Sequence, residues 1–269
     1  MRSFPRPRAV LSQVKHSRNS TYGPFIHYPT QGSSVSDLFI GREGTFRTRF
    51  HGENTLALVL GKRVPVEHVI VCIDTDGGVV NELRYSADDF RFSIELPKID
   101  CEMYSFIHLT NYDREILATV THDDRLVARN HRGYTGYLMN DSQMESMVHG
   151  NFGLTYLAGN QKLRSLARQK AVHRYTVQEV FREPFRYELC FPNPTRRTLQ
   201  ISVDLIGLAG TATDTKSQII PPFGTWMLNL SSDQVQEGRY LSWCSRLPVG
   251  RCVIFEINDR DSTCNVFHS

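Results

Sequence analysis

The chain has 269 residues, 40% of them hydrophobic and 22% charged, and 31 basic against 28 acidic side chains leave a formal charge of +3. That is enough apolar material for one large core or two ordinary ones, which excludes wholesale disorder. The small net charge argues against a nucleic-acid partner, and no apolar run approaches the ~20 residues of a membrane-spanning helix.

In residues 1–24, Arg2, Arg6, Arg8, Lys15 and Arg18 occur with no acidic residue before Asp37, and prolines interrupt any helix. This segment reads as a flexible basic arm. Its start lacks the apolar stretch of a secretory signal, which makes the cytoplasm the expected location.

Strand signals begin at Phe25, and residues 25–130 read as a first antiparallel β-sandwich. Phe46, Thr48 and Phe50 alternate with Arg47 and Arg49, the two-residue period of a half-buried strand. Leu56 to Leu60 and Val69 to Ile73 are apolar on both faces, as strands in a covered layer are. Asp74-Thr75-Asp76-Gly77-Gly78 supplies a tight turn. Phe90, Phe92, Ile94 and Leu96 then alternate with Arg91, Ser93 and Glu95, and Tyr104–Thr110 with Ile116–His122 make a hairpin.

Residues 131–185 read as a connecting segment. Leu163, Leu166, Ala167 and Ala171 have helical spacing, which predicts a short helix near 161–171 whose polar face carries Lys162, Arg164, Arg168 and Lys170. No Asp or Glu occurs between Glu145 and Glu179, so this is the basic centre of the folded part. The stretch from Ala171 to Phe181 fits a strand as well as a helix.

Residues 186–269 read as a second sandwich. Tyr187 to Phe191 is followed by a Pro192-Asn193-Pro194-Thr195 turn, and then Leu199, Ile201, Val203 and Leu205 alternate with polar residues. A loop of small residues from Gly207 to Ser217 precedes Pro221-Pro222-Phe223-Gly224-Thr225 and a strand carrying Trp226, Leu228 and Leu230. Strands at Tyr240–Leu247, Arg251–Ile257 and Cys264–His268 complete it. The Asn-Pro-Thr turn, the alternating strand and the Pro-Pro-Phe-Gly-Thr segment resemble immunoglobulin-like sandwiches, a likeness that bears on fold and not on activity. The expected fold is all-β: two antiparallel sandwiches, immunoglobulin-like or jelly-roll-like, with at most one or two short helices.

The familiar catalytic signatures are absent: no glycine-rich phosphate loop, no Gly-x-Ser-x-Gly and no His-Glu-x-x-His. Six cysteines show no zinc spacing, which predicts reduced thiols packed as small hydrophobes. Paired aspartates (74/76, 88/89, 123/124, 259/261) are turn formers first and calcium ligands only if several loops meet. The leading functional expectation is a non-catalytic binding or scaffold protein. His149, Asn151, Arg164 and Arg168 would converge at the junction of the halves on an anionic or saccharide-like small ligand. His149-Gly150-Asn151 is the loop singled out, because glycine permits close approach of backbone to a ligand. The rival is a metal-dependent enzyme with a divalent ion held by His51, Glu53, His122 and His149. A third reading is a structural or assembly subunit with a basic arm. Sequence leaves the oligomeric state open.

Overall fold

A computed structural model of the chain describes residues 36–111, 133–139, 142–158, 162–165, 167–169, 171–177, 179–236, 238–246 and 251–268. The basic arm, the strand Ile116–His122 and His122 lie outside the described residues. Within them the molecule is nearly all β, in four antiparallel sheets.

The first half contributes β1 (Ser36–Arg42), β2 (Phe46–Glu53), β3 (Val66–Ile73), β4 (Val79–Ala87), β5 (Arg91–Glu95), β6 (Met103–Asn111), β7 (Tyr134–Met139), β8 (Ser146–His149), β9 (Asn151–Ala158) and β10 (Lys162–Ser165). They form a six-stranded sheet, β10-β9-β1-β6-β3-β4, and a four-stranded sheet, β5-β2-β7-β8. Phe39, Phe50, Ile70, Cys72, Leu96, Tyr104 and Phe106 fill the space between them. The second half contributes β11 (His173–Thr176), β12 (Arg186–Pro192), β13 (Leu199–Gly207), β14 (Ala212–Ile220), β15 (Thr225–Leu230), β16 (Arg239–Ser245), β17 (Val253–Asn258) and β18 (Thr263–His268). Its sheets are β11-β16-β13-β14 and β15-β12-β17-β18, packed over Trp243, Phe181, Tyr187, Leu189 and Ile254.

Four expectations are corrected. Leu56 to Leu60 is not a strand: Thr55–Leu60 is a short helix, α1. Asn54 accepts from the Ala57 amide and Gly61 ends the helix at φ 67, so capping residues on both sides decided an apolar run that periodicity left open. The helix expected at 161–171 is instead β10, with Leu163 opposite Leu157. Leu and Ala spacing was outweighed by an available ladder beside β9. The connecting segment is divided between the sandwiches: β7 pairs with β2 and β9 with β1 in the first, while β11 pairs with β16 in the second. Finally, the expected loop 207–217 is largely β14, the outer partner of β13. Its side chains are mostly exposed, so no apolar alternation marks it.

The sheet β15-β12-β17-β18 is a shared wall. One face packs into the second core through Leu189 and Ile254. The other presents Cys190, Val253, Phe255, Ile257 and Val266 to Ile40, Phe46, Met103, Tyr137, Met139 and Val148 of the first half. Phe255 sits edge-on to Phe46 at 5.5 Å and to Tyr137 at 4.8 Å. Among the described residues one ion pair crosses this apolar seam at depth: Arg42 Nε donates to Glu188 Oε2 at 2.9 Å, with side-chain exposures of 5% and 6%. Two smaller ties reinforce the seam. The Thr225 amide donates to Thr75 O at 3.0 Å, and Phe223 packs into the cluster of Leu38, Val71 and Leu109. The two sandwiches thus share an apolar cluster across this seam.

Candidate functional site

β2 reads Phe46-Arg47-Thr48-Arg49-Phe50-His51-Gly52-Glu53, and its even positions point into the core while its odd ones face solvent. Register then fixes what stands beside each odd residue. His51 lies opposite Ser93 on β5 and opposite Tyr134 on β7, and Tyr134 lies opposite His149 on β8. Directly opposed residues share a face, so Ser93, His51, Tyr134 and His149 form one outward row across the sheet. The next row runs Glu95, Arg49, Gly136, Met147.

Glu145, just before β8, folds back over Gly136. A Cβ on that residue would lie 1.9 Å from Glu145 Oε1, so only glycine leaves room for the carboxylate. From there Glu145 Oε1 meets His51 Nε2 at 2.9 Å and Oε2 accepts from Arg49 Nη1 at 3.4 Å. The other ring nitrogen of His51, Nδ1, meets Ser93 Oγ at 2.7 Å. Arg47 pairs with Glu95 at 3.8 Å and Arg91 with Glu53 at 3.2 Å, so three arginines on this face each have a glutamate. Tyr134 remains 52% exposed among them.

At its β8 edge the sheet abuts β18 of the shared wall. His149 Nε2 meets His268 Nε2 at 2.6 Å, with ring centroids 4.1 Å apart. His149 Nδ1 is 2.9 Å from Gly150 O, a group that only accepts, so Nδ1 carries a hydrogen and the two Nε2 atoms share one between them. Arg251 Nη1 stands 3.4 Å from His268 Nε2, and Asn151 Nδ2 donates to Arg251 O.

The expected junction site is therefore only half assembled. His149 and Asn151 do lie at the junction, but Arg164 and Arg168 do not join them. Arg164 is opposite Tyr156, five residues along β9 from Asn151. A register shift of β9 against β1 lies between the two, and Arg164 sits on β10 at the edge of the sheet. Arg168 is exposed beyond β10. Nor does Gly150 approach a ligand, since a Cβ there would meet the Phe39 ring at 2.5 Å.

Of the expected metal set, His122 lies outside the described residues, and the other three are not brought together. Both ring nitrogens of His51 are engaged by Ser93 and Glu145, Glu53 is turned to Arg91, and His149 faces Gly150 and His268. Among the described residues no group of three or more His, Cys, Asp or Glu is placed to hold a metal ion. The aspartate loops act as turn formers: Asp74 Oδ1 accepts from the Asp76 and Gly78 amides, and Asp261 accepts from Thr263. Ser93, Tyr134 and Glu145 were missed by sequence reading. Polar alternation marks Ser93 as outward, but only strand pairing shows what it stands beside.

No family model matches the chain, and no curated protein matches its sequence. Among solved structures, a calcium-binding mutant of Bacteroides uniformis β-glucuronidase 2 is 10% identical over 86% of this chain and 25% of that one, with a TM-score of 0.21. The M60 catalytic domain with CBM51 domains from Clostridium perfringens ZmpB is 5% identical over 81% of this chain and 34% of that one, with a TM-score of 0.19. An Escherichia coli alpha-2-macroglobulin is 9% identical over 87% of this chain and 15% of that one, at 0.20. The chain thus spans about a third or less of these proteins. At such scores the likenesses carry no argument. The class that the chain's own strands define is a double β-sandwich, and among the described residues no helix is long and apolar enough to cross a membrane.

Proposed function

We propose that the chain is a ligand-binding β-sandwich protein that recognises a saccharide on the solvent face of the β5-β2-β7-β8 sheet. The observation that supports this is the outward row itself: an exposed Tyr134 ring with His51 and His149 one strand away on either side. Strand spacing sets these neighbours ~4.8 Å apart, within the span of a single sugar ring. Tyr134 offers an apolar surface for the C–H face of a pyranose, and the flanking Ser93 hydroxyl and Arg–Glu pairs offer donors and acceptors to its hydroxyls. Three Arg–Glu pairs neutralise the surroundings, which favours a polyol over a bare anion. His149 carries over from the junction site expected from sequence, and His51 joins it as part of the surface that flanks Tyr134 in place of a metal ligand.

Calorimetric titration with neutral and acidic oligosaccharides tests the reading. Binding should weaken more than about tenfold in Tyr134→Ala, the size of one lost stacking contact. Binding that is absent across the panel, or unchanged in that variant, overturns it.

A further inference from the structure

We propose that Ser93, His51 and Glu145 form a nucleophile–base–acid relay that cleaves carboxylic esters. The proposal goes beyond saccharide recognition and does not rest on it.

Hydrogen-bond chemistry sets the direction of the relay. The Glu145 carboxylate accepts, so His51 Nε2, 2.9 Å away, carries the hydrogen. The remaining ring nitrogen, Nδ1, then holds a lone pair and accepts from the Ser93 hydroxyl at 2.7 Å. That polarity is what activates a serine: a base bonded to the hydroxyl, and a third group fixing the tautomer of the base. Each member is held by a separate element. Ser93 and His51 are a directly opposed cross-strand pair. Glu145 is seated in the notch over Gly136, and its second oxygen is tied to Arg49.

The backbone adds a donor for the developing oxyanion. Leu96 N donates to Thr48 O and Phe90 O accepts from Asn54 N, so the even residues of this segment turn their amides and carbonyls toward β2. The odd ones turn theirs outward, which aims the Ser93 N–H away from β2 at a strand that forms the edge of its sheet. The nucleophile's own amide is a common oxyanion donor.

In the first step Ser93 Oγ bonds to the ester carbonyl carbon while its proton passes to His51 Nδ1. Collapse of the tetrahedral oxyanion breaks the C–O bond, and the departing alkoxide takes that proton, leaving an acyl-serine and a free alcohol. Water then attacks the acyl carbon with Nδ1 again as base, releasing the carboxylic acid and restoring Ser93.

A fluorophosphonate probe applied to the full chain tests this by intact mass and peptide mapping, with p-nitrophenyl acetate hydrolysis in parallel. The expected result is one adduct on Ser93, absent from Ser93→Ala and formed about 100-fold more slowly in His51→Ala, the usual contribution of a general base. Both side chains are on the solvent face, and thermal melts of the variants establish that the fold is retained. Glu145→Gln should change the pH profile of labelling; an unchanged profile overturns Glu145's place in the relay. No adduct, an adduct at another residue, or equal rates in parent and His51→Ala overturn the proposal as a whole, even where saccharide binding is observed.

Discussion

Two arginine–glutamate pairs, Arg42–Glu188 and Arg49–Glu145, look alike in sequence and do opposite things. Arg42 and Glu188 meet at 2.9 Å inside the seam, with side-chain exposures of 5% and 6%. Arg49 and Glu145 meet at 3.4 Å on the solvent face, with exposures of 33% and 19%. Burial alone would lower the Arg42 pKa, but hydrogen bonding and charge from Glu188, then Glu102, outweigh it and raise the value above the ordinary one. The buried pair belongs to a short chain of charges, since Arg42 also meets Glu102 at 2.7 Å and Glu188 also meets Arg186 at 2.5 Å, and that chain compensates the burial of both groups in the apolar wall. The exposed pair contributes little to stability, which leaves Glu145 available to orient His51.

The comparison can be broken most directly at Glu188. Glu188→Ala removes the buried partner of Arg42 Nε and leaves it only the exposed Glu102 at 2.7 Å, which should cost about 1.5–3 kcal/mol by urea denaturation. Arg42→Met combined with Glu188→Leu should recover most of that loss, because shape is kept and the one carboxylate left without Arg42, Glu102, is exposed to solvent. A double variant as unstable as the single one would mean that the pair itself supplies the stability.

Acid sharpens the contrast next. His68 and His108 touch at 3.0 Å among Phe50, Tyr85 and Phe92, with exposures of 0% and 2%. Burial lowers the His68 pKa from 6.5 to about 4, and burial together with its neighbour pushes His108 the same way. Above pH 6.5 both are neutral whether folded or unfolded, and stability is full. As pH falls from 6.5 to about 4 the unfolded chain takes up protons that the folded one refuses, and roughly 3 kcal/mol is lost through His68. Urea midpoints at pH 7, 5.5 and 4.5 should fall for the parent and fall less for His68→Leu. Parallel slopes in the two proteins would contradict this.

The smallest effect belongs to the solvent face. Glu145→Gln should shift unfolding free energy by less than about 1 kcal/mol, as exposed ion pairs do. A loss as large as that of Glu188→Ala would make Glu145 a structural residue after all.

Much of the architecture was legible where one face is wet. Leu199-Gln200-Ile201-Ser202-Val203 and Phe90-Arg91-Phe92-Ser93-Ile94 carry a two-residue period, and both segments are strands. It was illegible where neighbours decide. Leu56–Leu60 has no period, and its end caps made it helical. Lys162–Ser165 suits a helix in isolation, and the open edge of β9 made it β10. The site was legible only in fragments. His51 and His149 stood out as ligand-type residues and do lie in one row, but Tyr134 between them and Glu145 across Gly136 had no local signal.

Alternation and turn chemistry, which act over a few residues, were enough to commit this chain to layered antiparallel sheets. Tertiary structure alone decided which strands became neighbours, and with that the seam holding Arg42 against Glu188 and the row joining Ser93, His51 and Tyr134. The reason is one of range. A side chain's face is set by its own backbone, whereas its partner is set by hydrogen-bond register between segments far apart in sequence.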